Sequence, residues 1–275
     1  MKAEGKKVIL ITGASSGIGK STAKLLSSEG HVVYGSARRT DRMADLKDAG
    51  VTVIKMDVTD DASMVGGVNQ MINEHGRIDV LINNAGYGSF GSLEDVPLSE
   101  ARRQFEVNVF GLGRMTQIVL PHMRKQKSGT IINVSSTGGI ITTPFGGWYQ
   151  SSKFAVEGLS DTLRKDVKRF GIELVVIEPG AIDSEWASIA IDHLLKISSE
   201  PYLDAAKKVS KAFEDTYRNA SEPIVIAKVI SKAIKAKKPK TRYVAGKQGK
   251  MILMMHTLLS DRKFDNFIVK AAGMQ

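Results

Sequence analysis

No cysteine occurs in the 275 residues. That excludes disulfides, thiolate catalysis and cysteine-based zinc sites. The five histidines, His31, His75, His122, His193 and His256, show no metal-ligand spacing. No apolar run approaches the roughly 20 residues that span a bilayer. The opening "MKAEGKKVIL" leads straight into a strand-like run, with no room for a signal peptide. Low-complexity linkers, repeats and clear domain boundaries are lacking as well. The expectation is a soluble, cytoplasmic chain with no metal, folded as one domain over 1–275.

Acidic residues are missing from one block. Residues 228–250, "KVISKAIKAKKPKTRYVAGKQGK", carry nine Lys or Arg and no Asp or Glu, against a net charge of +10 for the whole chain. The excess is therefore local. A solvated helix face is the favoured reading of such a run. Peripheral contact with an anionic membrane is the sharper one, because "MILMMHTLL" (251–259) follows it. Nucleic-acid binding is not expected, since no recognition motif or interleaved aromatics accompany the charge.

What is present is an alternation of short β-branched runs with longer amphipathic ones. Strands are expected at 7–12, 31–37, 51–58, 78–84, 129–136, 172–180 and 241–246. Helices are expected at 17–29, 41–48, 99–125 and 148–170. Several strands lack polar alternation, as strands buried on both faces of a parallel sheet do. The fold class is α/β, a doubly wound parallel sheet of Rossmann type. A helical stretch at about 183–222, with Trp186, Ile189, Tyr202, Phe213 and Tyr217, is a candidate substrate lid, and about 247–275 is a C-terminal extension.

"ITGASSGIGKS" follows the first strand. Gly13, Gly17 and Gly19 give G-x-x-x-G-x-G, a variant of the usual dinucleotide spacing. Such glycines let the backbone turn sharply and approach a pyrophosphate, while the next helix points its N-terminal amides at the anion. Ser15, Ser16 and Ile18 complete the loop. At the end of the second strand, "YGSARRTDR" places Ala37 where an acid would bond a ribose 2′-hydroxyl, followed by Arg38 and Arg39. A guanidinium fork suits a 2′-phosphate. NADP(H) is therefore favoured as cofactor, with NAD(H) left open.

"GWYQSSKFAVEG" (146–157) sets Tyr149 and Lys153 one helical turn apart. A phenol with an ordinary pKa of about 10 is a poor base near neutrality, and an adjacent ammonium is expected to lower it.

Together "TGASSGIG", "NNAG" and "YQSSK" resemble the short-chain dehydrogenase/reductase family, over Lys7 to about Gly246. The resemblance implies a nicotinamide cofactor and hydride transfer to or from a carbonyl or alcohol carbon. It implies a catalytic tetrad of Asn108, Ser136, Tyr149 and Lys153. Ser136, rather than Ser135, stands thirteen residues before the tyrosine. Tyr149 would act as general acid in reduction and base in oxidation. Ser136 would stabilise charge on the substrate oxygen. Lys153 would also hold the nicotinamide ribose, and Asn108 would hold a water that links Lys153 to solvent. Cofactor contacts are implied at Asp57 and Val58, at Asn84, Ala85 and Gly86, and at Pro179, Gly180, Ile182 and Ser184.

Tyr87, Phe145, Trp148 and Trp186 are the candidate substrate residues, large and mostly apolar. They suit a hydrophobic small-molecule carbonyl or alcohol such as a steroid, retinoid or lipid-derived ketone. The resemblance also implies a homodimer or homotetramer. Two readings from other classes compete: a cofactor-sensing regulatory protein, and a membrane-associated binding protein on the same fold.

Overall fold

A computed structural model describes residues 5–274. Seven strands form one sheet: β1 (Val8–Thr12), β2 (Val32–Ala37), β3 (Thr52–Lys55), β4 (Val80–Asn83), β5 (Gly129–Val134), β6 (Ile172–Pro179) and β7 (Arg242–Ala245). Their order is β3-β2-β1-β4-β5-β6-β7, and every pairing is parallel. The chain winds outward one way from β1 and then returns to fill the other side. The reversal falls between β1 and β4, so a crevice opens beyond the carboxyl ends of those strands.

The helices are α1 (Gly17–Ser28), α2 (Ala44–Asp48), α3 (Asp61–His75), α4 (Leu98–Phe105), α5 (Leu112–Gln126), α6 (Gly147–Val167), α7 (Glu185–Ile197), α8 (Glu200–Tyr217), α9 (Pro223–Lys235), α10 (Gly249–Leu258) and α11 (Asp261–Ala271). They cover both faces of the sheet, which is why β1 is apolar from Val8 to Ile11. Ile9 and Ile11 pack toward Leu26 of α1 and Ile226 and Ile230 of α9. Val8 and Leu10 pack the other way, toward Met64, Val68 and Met71 of α3 and Met115 and Val119 of α5. Alternate residues of a strand face opposite sides, so two cores need an unbroken apolar run.

The structure differs from the sequence reading in several places, and helix α9 is one that reading leaves unassigned. Helix α3 is another. Gly66 and Gly67 dilute its helical signal by roughly 1 kcal/mol each. Packing supplies what propensity lacks, and the ends are fixed locally. The Asp60 carboxylate accepts from the Ser63 amide at 3.3 Å, and Gly76 ends the helix at φ 68°. Strand β3 stops at Lys55, which leaves Met56, Asp57 and Val58 free to line the crevice.

The expected long helix is continuous from 98 to 126 but is interrupted by a π-helical turn at Glu106–Gly111, which carries Asn108. Such bulges are frequent at functional sites because they re-aim one side chain. The basic block, finally, is not one surface. Lys235 of α9 pairs with Glu29 at 2.7 Å, and Arg242 of β7 turns inward to Glu157, Asp161 and Glu178 at 2.8–3.1 Å.

A third cluster sits above the crevice. Phe90, Tyr149, Ala190, Leu194, Ala206 and Val209 pack together, joined by Phe145, Trp186, Phe213, Ala272 and Met274. Helices α7 and α8 occupy the span expected for the lid, and the last turn of the extension folds back on them. Among the described residues no helix is long and apolar enough to cross a membrane.

Candidate active site

One cleft of about 850 Å³ runs from the glycine loop to Tyr149. Its floor is the loop between β1 and α1. Gly13 and Gly17 sit at φ 70° and 51°, where a side chain is strained. A Cβ on Gly19 would overlap the Gly13 carbonyl oxygen and lie 2.5 Å from Asn84 Nδ2. Asn84 is held by donating Nδ2 to the carbonyls of Thr12 (3.0 Å) and Gly13 (3.1 Å). Thr12 Oγ1 in turn accepts the amides of Asn84 (3.1 Å) and Ala85 (3.0 Å). The "NNAG" segment therefore braces the glycine loop. Ser16 precedes α1 without capping it by its side chain, so the first-turn amides face the cleft. Backbone stripped of side chains at a helix N-terminus fits a pyrophosphate.

At one end of the cleft lie Arg38, Arg39, Met56, Asp57, Val58 and Val107. Arg38 Nε stands 4.0 Å from Asp57 Oδ2, while Asp57 Oδ1 accepts from Thr59. Arg39 makes no ion pair within 4.0 Å among the described residues. Ser15, Ile18, Ala85, Gly86, Pro179, Gly180, Ile182 and Ser184 line the middle, as does Tyr87. The Tyr87 hydroxyl donates to Glu100 at 2.9 Å, and Arg103 joins the same wall.

At the other end β5 and α6 deliver the catalytic candidates. Ser136 follows β5, and its Oγ accepts the Gly138 amide at 3.0 Å. Tyr149 lies in the first turn of α6, and Lys153 follows one turn later. Both are buried, at 8% and 7% exposure. Lys153 Nζ donates to the Val134 carbonyl at 3.0 Å and stands 6.0 Å from the Tyr149 ring centre.

Burial pulls the Lys153 ammonium down to about 8, against a smaller upward effect of Glu157. Burial likewise pushes the Tyr149 phenol up to about 12, while a hydrogen bond with Ser136 pulls the other way. The sequence reading expected the lysine to lower the phenol. In this state desolvation wins, because charge on a phenol enclosed by Phe90 and Trp186 is costly. The phenol stays protonated at neutral pH.

Asn108 stands behind this wall. Its Oδ1 accepts the Tyr87 amide, and its Nδ2 donates to the Tyr87 carbonyl and Ser152 Oγ, each at 3.0 Å. A Cβ on Gly86 would lie 3.1 Å from Asn108 Oδ1 and 3.6 Å from Lys153 Nζ, so the two side chains flank one small gap.

Trp186, on the first turn of α7, lies over the site with its ring 5.0 Å from that of Tyr149. Two expected substrate residues are placed elsewhere. Phe145 lines a neighbouring groove, and Trp148 packs edge-on against Phe105, 6.4 Å away. The first turn of α6 rotates 100° per residue, so Trp148 faces away from the side that Tyr149 occupies. Arg103, Val107 and His193 are cleft residues the sequence reading missed. Their elements are distant in sequence, and no local motif marks them.

Comparison with known proteins agrees with this geometry. The sequence model of the short chain dehydrogenase family matches residues 7–195. A 3-ketodihydrosphingosine reductase of Bacteroides thetaiotaomicron is 40% identical over 240 residues, covering 87% of this chain and 88% of that one. An NADPH-dependent 3-dehydrocapnine reductase of Ornithobacterium rhinotracheale is 33% identical over 276 residues, covering 95% of each. The crystal structure of a short-chain dehydrogenase from Streptomyces avermitilis superposes with a TM-score of 0.82 at 31% identity, over 98% of this chain and all of that one. The chain belongs to the short-chain dehydrogenase family and is an oxidoreductase acting on carbonyl or alcohol groups.

Proposed function

We propose that this protein is an NADP(H)-dependent oxidoreductase that interconverts a hydrophobic ketone and its alcohol, with Tyr149 as the proton donor and acceptor. One observation carries the reading. A single cleft joins two arginines that follow β2, where Ala37 rather than an acid ends the strand, to Ser136, Tyr149 and Lys153 at the other end. Bound in that cleft, the nicotinamide ring supplies or accepts the hydride.

The chain's own residues do the rest. The α1 amides and the glycine loop hold the pyrophosphate, and Arg38 and Arg39 hold the 2′-phosphate. Ser136 hydrogen-bonds the substrate oxygen and stabilises its developing charge. Tyr149 delivers the proton, and Lys153, with Asn108 behind it, orients the ribose and restores the proton. Phe90, Trp186 and Tyr217 keep water out. The names of two relatives support a lipid-derived ketone and NADPH. Leu98 and Phe110 on one helical stretch, with Phe154 and Leu159 on α6, are exposed and support pairing of two copies through these helices.

The test is titration of the purified protein with NADPH and NADH by nicotinamide fluorescence, followed by turnover of a panel of hydrophobic ketones. Preferential NADPH binding with consumption by a ketone supports the reading. Binding without turnover of any ketone or alcohol moves the weight to a cofactor-sensing regulator.

A further inference from the structure

Lys153 is a buried cation without an ion pair. It is 7% exposed, and among the described residues no carboxylate pairs with its Nζ. Buried charges are normally paired, because an ammonium taken out of water loses its hydration. The Val134 carbonyl, 3.0 Å from Nζ, offers a dipole and no charge.

A carboxylate stands one turn further along α6. Glu157 follows Lys153 at the spacing that puts two side chains on one helix face. It is 6% exposed. The turn at Thr137–Gly139 closes on both residues. A Cβ on Gly139 would lie 3.1 Å from Glu157 Cγ, 3.1 Å from the Lys153 carbonyl oxygen and 2.7 Å from Ser135 Oγ. Across this tight packing the Glu157 charge acts on Lys153, against the effect of burial.

Glu157 is itself held. Arg242 Nε donates to its Oε2 at 3.1 Å. Arg242 also donates to Asp161 at 2.8 Å and stands 3.1 Å from Glu178. Three carboxylates share one guanidinium, and they do not share alike. Glu178 of β6 is pushed up to about 7, so it carries the proton at mildly acidic pH. Asp161 is held below the usual carboxylate range by Arg242, with Arg164 adding to the effect. Burial pushes Glu157 up, while the Ser135 hydroxyl and Arg242 pull it back. That leaves Glu157 and Asp161 to balance Arg242. The other surfaces against this part of α6 bring no charge. The Thr137–Gly139 turn has no ionisable side chain, the π turn offers Asn108, and α4 meets α6 through Phe105 and Trp148.

Resting on the proposed chemistry at Tyr149, we infer that Glu157 is a positioning residue that acts through Lys153: its carboxylate, anchored on Arg242, is the counter-charge that keeps the buried ammonium protonated beside Tyr149 and the cofactor ribose. Arg242, the member of the basic block that turns inward, thereby supports the site from the edge of the sheet. With Glu157 in place the Lys153 ammonium sits at about 8. Without that charge it is lost at a lower pH. Charges about 10 Å apart at an effective dielectric of about 20 move a titration midpoint by about one pH unit.

The experiment follows kcat at saturating NADPH, with the ketone turned over fastest in the panel above, from about pH 6 to about pH 10. The proteins are wild type, Glu157→Gln, Glu157→Asp and Asp161→Asn. Carbon-13 NMR of protein labelled at the lysine ε-carbons, without cofactor, reads the ammonium without turnover. Lys153→Met assigns the signal.

In Glu157→Gln the alkaline limb of kcat and the Lys153 midpoint should both fall by about one pH unit. The ratio of turnover at pH 8 to that at pH 6 should then be about fivefold lower than in wild type. Glu157→Asp keeps the charge and should keep both values near wild type. Asp161→Asn takes a carboxylate from the same arginine, more than two turns from Lys153, and should move neither. Should Glu157→Gln not fold, Glu157→Ala, which leaves room for water, carries the same comparison.

A uniform loss at every pH, with the limb in place, makes Glu157 structural and overturns the inference while the ketone reaction stands. So does a limb that moves as far in Asp161→Asn. A wild-type Lys153 midpoint near the ordinary value of about 10.4 overturns it as well, since such an ammonium needs no counter-charge. A Lys153 midpoint that falls in Glu157→Gln, with no ketone turned over even by wild type, supports the counter-charge and overturns the reductase reading instead.

Discussion

Replacing Arg39 with alanine removes an exposed guanidinium that makes no ion pair within 4.0 Å among the described residues. No carboxylate holds its charge at ion-pair distance, and Glu185 feels it only at longer range. A hydrogen bond to a charged group contributes about 1.5–3 kcal/mol, and 1.4 kcal/mol is tenfold in affinity. Exposure favours the lower bound, so NADPH should bind about tenfold more weakly to Arg39→Ala at low salt. The loss should shrink as salt rises, because the Debye length falls from about 30 Å at 0.01 M to about 3 Å at 1 M.

NADH lacks the 2′-phosphate, and its affinity should hardly move. Arg38→Ala should cost less than Arg39→Ala. The Arg38 guanidinium is already shared with Asp57, 4.0 Å away, although such an exposed pair is worth only about 0–1 kcal/mol. Fluorescence titration of both cofactors against the wild type and each variant gives four differences at each of two salt concentrations. Equal weakening of NADPH and NADH, or unchanged NADPH affinity in Arg39→Ala, would refute the assignment of the 2′-phosphate to these arginines.

Tyr149→Phe keeps the ring packing and removes the proton. Turnover should fall about 100- to 10,000-fold while NADPH binding is nearly unchanged, and a variant that retains most of its activity rules out the phenol. Gly19→Ala forces a methyl against the Gly13 carbonyl and Asn84. Overpacking of about 1–3 kcal/mol, plus about 1 kcal/mol for each Asn84 hydrogen bond strained, should lower the melting temperature and weaken both cofactors. An unaltered melt with unaltered binding would show that the loop is looser than its geometry.

Glu178, 2% exposed on β6, is pushed up to about 7 by burial, with the neighbouring Glu157 acting in the same direction and Arg242 opposing. The folded state keeps this proton up to about pH 7, and the unfolded chain releases it near 4.5. The stabilisation is complete below pH 4.5 and is lost as pH rises to 7, a decline of about 2–3 kcal/mol. Glu178→Gln should remove that decline. Parallel denaturation profiles of the two proteins between pH 4.5 and 7 would contradict it.

The glycine loop, the Tyr149–Lys153 pair and the parallel sheet were legible because each depends on neighbours in sequence. An apolar run between turn signals reads as a doubly buried strand whatever packs on it. Helix α3 was not legible: Gly66 and Gly67 weaken its pattern, and only contact with Ile54, Met56 and Leu81 makes it stable. The side on which Trp148 lies depends on where α6 begins, and a shift of one residue rotates the indole by 100°.

The sequence by itself determined the family, the alternation that builds the sheet, and the residue types at the reacting end. Tertiary structure decided their state. It buried Tyr149 deeply enough to raise a phenol that a nearby lysine was expected to lower. It turned Arg242 of the basic block inward onto three carboxylates. It also brought residues 91–94, 142–145, 202–205 and 274 together around one groove. Desolvation and enclosure are sums over atoms that are distant along the chain, so no local pattern of residues carries them.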